Sequence, residues 1–344
     1  MVSNIRKILL SLLSISAVAL LAFGASRAFF SDTETSTGNT FTAGAIDLKV
    51  DSEAHYNGLV CREFATGDFR WSEPVNTNPT LEQLAQEHYN EPCTGTWGQT
   101  DLGITQQKFF DLADVKPGDD GENTVSLHVY NNDAWGRFII SGVTDIDGTC
   151  TEPESDNSVL DVECDTPSET VLNNSPLGEL RENMTFYAWL DQGAIPGFQN
   201  GDETSINDDT TEGDNVWDCA FANGDPNFDP AGATPENCHE PLVILPGTVD
   251  QGGETHNIWT ALVAVDAAYC TSAPANGHNT DGSGDYLTCH GLADDGRMVG
   301  SATYYFGLAW FIPTTVGNEV QTDSLTADLS FEVVQQRNNP TQIF

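Results

Sequence analysis

The feature that most constrains this chain is a period of two. Near the carboxyl end, Leu325, Ala327, Leu329, Phe331 and Val333 alternate with Thr326, Asp328, Ser330 and Glu332. Successive side chains of a strand point to opposite faces, so the pattern predicts a half-buried β-strand. Val125, Leu127 and Val129 alternate with Ser126 and His128 in the same way. Short runs rich in β-branched and aromatic residues at 45–50, 124–130, 138–143, 185–190, 241–245, 258–265, 302–311 and 325–334 all read as strands, with Gly, Asn, Asp and Pro between them. Residues 80–88, with Leu81, Leu84 and Ala85 at helical spacing, read as a helix inserted between Cys61 and Cys93. Many short strands without intervening helices predict an all-β fold, a two-sheet sandwich enlarged by long acidic loops.

The amino end reads as an export signal. Arg6 and Lys7 precede an apolar run from Ile8 to Phe23, and small residues follow at Gly24, Ala25, Ser26 and Ala28. This is the order of a signal peptide, and the run is short for a bilayer span of about 20 residues. Residues 1–28 are expected to be removed, with Ser26-Arg27-Ala28 as the cleavage site, Gly24-Ala25-Ser26 as the alternative, and an uncleaved anchor as the rival reading. Residues 29–344 then form one mature domain, secreted or held at the cell surface, with no membrane association after cleavage.

The cysteine count fits that compartment. Cys61, Cys93, Cys150, Cys164, Cys219, Cys238, Cys270 and Cys289 all lie beyond the leader. An even number in an exported chain suggests disulfides, although sequence alone leaves many connectivities open. Succession along the chain suggests Cys61 with Cys93, Cys150 with Cys164, Cys219 with Cys238, and Cys270 with Cys289. None of them has the C-x-x-C spacing that zinc sites favour.

The formal net charge is -40, and loss of the basic leader makes the mature chain more acidic still. Such a field repels nucleic acid and anionic lipid, which removes both as partners. Cations are the natural counter-partners. Salt relieves the self-repulsion by shrinking the Debye length from about 10 Å at 0.1 M to about 3 Å at 1 M; bound calcium would relieve it too. Calcium takes six to eight oxygen ligands, and Asp191, Asn200, Asp202 and Glu203 form a candidate cluster, with Asp208, Asp209 and Asp214 close behind. Their order does not follow the EF-hand spacing. Solvated acidic loops are the plainer reading.

Three segments resemble a known family. Phe29 to Asp51, FFSDTETSTGNTFTAGAIDLKVD, is similar to the mature start of TasA/camelysin proteins, with Phe30, Asp32, Phe41, Gly44, Asp47 and Leu48 in the matching positions. Leu112 to Asp119, LADVKPGD, resembles the family's K-P-G-D loop before a strand and an Asn-rich turn, here Asn131-Asn132-Asp133. The stretch QTDSLTADLSFEVVQQRNNP resembles the closing strand. The resemblance implies a jelly-roll-like sandwich, export through a SipW-type signal peptidase, and assembly as a head-to-tail homopolymer. In fibre-forming members the amino-terminal segment of one subunit completes a sheet of the next; Phe29 to Thr42 would be that donor here, with Phe29, Phe30 and Phe41 as anchors. Pairing of the same residues within their own subunit is the alternative.

Some camelysin relatives are described as metalloproteases, which makes catalysis a rival. A zinc protease of the common kind needs H-E-x-x-H. None of His55, His88, His128, His239, His256, His278 and His290 has that neighbourhood, and no G-x-S-x-G elbow occurs. The sequence therefore reads as a non-enzymatic structural protein of surface fibres or extracellular, biofilm-type matrix. A monomeric secreted binding module and a metal-dependent hydrolase are the alternatives.

Overall fold

The computed structural model describes residues 31–36, 47–72, 87–102, 107–130, 132–149, 154, 172–175, 178–199, 209, 211–217, 240–270, 289–339, 341–342 and 344. Strands run in the order β1 (Ser31–Ser36), β2 (Asp47–Tyr56), β3 (Leu59–Ala65), β4 (Asp68–Ser72), β5 (Trp97–Thr100), β6 (Asp120–Tyr130) and β7 (Ala134–Thr149). There follow β8 (Leu172–Ser175), β9 (Thr185–Leu190), β10 (Leu242–Gly247), β11 (Glu254–Asn257), β12 (Thr303–Phe311) and β13 (Ser324–Gln335). Among the described residues, helix is confined to short pieces, chiefly α1 (Leu180–Asn183) and α2 (Ile258–Val265), the latter continued by a π-helical turn at Asp266–Cys270.

All pairings are antiparallel and fall into two sheets. One has the order β1-β13-β7-β11, with β8 also on β7; the other runs β10-β9-β12-β6-β2-β3-β4, with β5 on β2. The chain crosses between sheets at β1/β2, β6/β7, β8/β9, β10/β11, β11/β12 and β12/β13, so the architecture is an all-β, jelly-roll-like sandwich. Inward-facing residues of both sheets meet in the core. Phe331 of β13 lies 5.0 Å from Phe138 of β7 and 6.2 Å from Phe306 of β12 across the layers, distances at which aromatic rings add to simple burial.

The period of two in the closing strand is realised: Leu329, Phe331 and Val333 are buried. In β6, Ser126 and His128 are buried as well as Val125, Leu127 and Val129. The outer face of this sheet is therefore covered too. A second apolar cluster of Tyr187, Trp189, Trp217 and Ala309 accounts for part of that cover.

One strand expectation is overturned. Residues 258–265 form α2, because Ile258, Ala261, Leu262 and Val265 are its buried residues. Their spacing of three, four and seven makes one helical stripe, which outweighs the strand preference of Ile and Val. The β3–β4 hairpin was not visible in the sequence; Arg62, Glu63, Asp68 and Arg70 interrupt its apolar pattern. Of the expected helix at 80–88, residues 80–86 lie outside the described residues, while Glu87 and His88 are helical.

Candidate functional site

Among the described residues, β1 is the end strand of its sheet. It pairs with β13 in unbroken register from Ser31↔Val334 to Ser36↔Leu329. On its other side β13 is bound to β7 from Ser324↔Ile146 to Gln335↔Ala134, and its inward side chains are in the core. β13 is thus fixed from two directions, whereas β1 is joined to the sheet along one ladder. The sequence of β1, SDTETS, is wholly polar, so backbone hydrogen bonds are the natural source of its hold. An edge of this kind is the surface that strand addition uses. The anchors expected at Phe29, Phe30 and Phe41 lie outside the described residues, as does the leader, 1–28.

Of the calcium candidates, Asn200, Asp202 and Glu203 lie outside the described residues. Asp191 is fully buried, and its two oxygens accept the backbone N–H groups of Gly213 at 3.1 Å and Asn215 at 3.0 Å. Asp209 accepts the N–H groups of Ile195 at 2.7 Å and Thr211 at 3.0 Å. These carboxylates fasten the 211–217 segment to the turn after β9. Beneath that segment, Asn215 donates to Glu122 on β6 at 2.5 Å. Burial, with Asp120, Asp191 and Asp214 nearby, raises the Glu122 carboxyl to about 8. Burial also lifts Asp120 to about 6, with help from Asp119. Protons held near neutral pH let these crowded acids coexist.

The disulfides Cys61–Cys93 and Cys270–Cys289 are formed, two of the neighbour pairs expected from the sequence. Cys150, Cys164, Cys219 and Cys238 lie outside the described residues. Of the described histidines, His128 contacts Asp51 at 2.8 Å and Thr303 at 3.0 Å on the outer face of the larger sheet. His55 contacts Glu53 at 3.2 Å. His128 thus links β6 to β2 and β12, whereas His55 and Glu53 both lie on β2. Beside them an open groove of about 530 Å³ is lined in part by Asp51, Glu53, Arg62, Phe69, Trp97 and Tyr305.

Among the described residues, one group has the spacing of metal ligands: Asp147, Glu154 and Asp323. It contains no histidine and lies apart from the loops that sequence singled out. Its signal was legible only in part, as an Asp-x-Asp step, Asp145 and Asp147, in a strand whose earlier positions Phe138, Ile139 and Ile140 are apolar. Among the described residues, no helix is long and apolar enough to cross a membrane. No protein-family model matches the chain, and a search of curated proteins finds no significant match.

Proposed function

We propose that this is an exported structural protein that builds cell-surface fibres or extracellular matrix by strand addition. The observation that carries the reading is the placement of β1: an amino-terminal, polar end strand held to β13 in one continuous register. Exchange of β1 between copies preserves every backbone hydrogen bond of that ladder, so a neighbour's strand is an isoenergetic substitute for the chain's own. Donation in one direction leaves each subunit with a donor to give and an edge to fill, and such head-to-tail contacts propagate rather than close. The two disulfides fit an oxidising exterior, and the resemblance of Phe29–Asp51 to TasA/camelysin proteins adds the SipW-type peptidase as the export partner.

The pairing of β1 with its own β13 favours a second reading, a monomeric exported binding module. Electron microscopy of residues 29–344, with and without residues 29–42, separates the two. Filaments from the longer chain, lost on truncation and blocked by an added peptide of residues 29–42, support strand addition. A monodisperse longer chain at all salt concentrations supports the module.

A further inference from the structure

The smaller sheet carries carboxylates where a sandwich ordinarily carries apolar side chains. In β7, Phe138 and Ile140 are buried. At Gly142 the backbone enters the left-handed region, φ +63°, and the register with β13 shifts between Thr326 and Asp328. A bulge of this kind inserts one residue and re-aims all that follow. Beyond it the buried positions are Val143, Asp145 and Asp147, the two acids at 3 % and 0 % exposure. Two more acids converge there. Glu154 is fully buried, and Asp323 sits in the turn before β13. Ligand oxygens of Asp147, Glu154 and Asp323 all lie within 4.8 Å of one another.

A group of acids alone does not make a site, but the oxygens beside this one add a second observation. Asp323 accepts the N–H groups of Glu179 at 2.7 Å and Leu180 at 3.0 Å with Oδ2, and its Oδ1 is shielded from solvent without a hydrogen-bond donor among the described residues. Asp145 accepts the Arg181 N–H at 3.3 Å with Oδ2, and its Oδ1 is likewise shielded and without a donor. The Arg181 guanidinium stands 3.8 Å from Asp145. Buried carboxylate oxygens lacking donors are unfavourable unless a cation meets them.

We propose that Asp147, Glu154 and Asp323 bind a divalent cation, calcium, with Asp145 lining the same site. An all-oxygen, all-carboxylate set selects hard ions over zinc or copper. Oxygens within 4.8 Å of one another can all reach one ion at a calcium–oxygen distance of ~2.4 Å, and calcium accepts an irregular set of protein carboxylates where magnesium keeps a strict octahedron with several waters. The ion ties β7 to the turn before β13 and to the chain leading from β7, and so locks one end of the sheet to which β1 adds. The site stands on its own geometry and does not require the fibre reading.

The test is calcium binding by residues 29–344 in about 1 M sodium chloride, which screens the acidic surface, after treatment with EDTA and with magnesium as the comparison. The parent chain is expected to bind calcium saturably and to melt at higher temperature with it. D147N/D323N should bind one fewer calcium, and E154Q should bind at least about tenfold more weakly. D68N, at a half-buried acid of the β4 edge that pairs with Arg70, should bind as many calcium ions as the parent. In EDTA the double variant should melt at or above the parent, because repulsion is relieved, and only the parent should gain on calcium addition. An equal gain in the two, an unchanged stoichiometry, or no saturable calcium binding by the parent overturns the assignment. Filament formation is scored separately, so a failure of assembly leaves this result intact.

Discussion

Tyr56 donates its hydroxyl proton to Asp119 across 2.6 Å of buried space. The same carboxylate accepts the Asn57 amide at 3.0 Å and the Lys116 backbone N–H at 2.7 Å. It therefore joins the β2–β3 turn to the loop before β6. Asp119 closes the LADVKPGD motif, and its position explains why that motif ends in an acid: three donors converge where solvent cannot reach.

Asp119→Ala strands all three donors. Loss of hydrogen bonds to a buried charged acceptor predicts destabilisation of about 3 kcal/mol or more, read as a lower urea midpoint. A midpoint unchanged from the parent would show that water enters and replaces the carboxylate.

Gly307 of β12 faces Trp189 of β9, and a Cβ there would meet the indole at 2.0 Å. Gly307→Ala is expected to cost about 1–3 kcal/mol through overpacking. Trp189→Leu in the same chain should recover part of the loss, a coupling that a double-mutant cycle measures. Strict additivity of the two would contradict the contact.

Glu122 gives stability a pH dependence of definite sign. Its carboxyl is raised from 4.5 to about 8 in the folded protein, so the native chain holds this proton more tightly than the unfolded chain. Its contribution is fully present below about pH 4.5 and is lost as pH rises through about 8. The loss is on the order of a few kcal/mol. Urea midpoints at pH 5 and pH 8.5 in fixed salt should fall for the parent and fall less for Glu122→Gln. Identical slopes for the two would remove Glu122 as the cause.

Each described disulfide closes a substantial loop, with separations of 32 residues for Cys61–Cys93 and 19 for Cys270–Cys289. Chain entropy predicts a loss of about 3–4 kcal/mol on removing either by paired Cys→Ala substitution. Thermal melts of the paired variants under non-reducing conditions test this directly, and a shift of under a degree would contradict it.

The alternating run of β13 and the aromatic run of β12 were legible because a period of two is local, and any strand that buries one face displays it. Two neighbour pairings of cysteines, Cys61–Cys93 and Cys270–Cys289, were legible for a similar reason, since short separations favour contact. Four features were decided by tertiary structure. Ile258–Val265 chose helix because its stripe meets the core at helical spacing; the β3–β4 hairpin formed despite its charges. The Asp191 carboxylate became a fastener for a segment more than twenty residues away in sequence. Asp145 and Asp147 turned inward only because Gly142 shifts their strand by one position against β13. Local pattern fixes which face a residue can share with its neighbours; which face is buried, and what meets it there, depends on strands brought together from opposite ends of the chain.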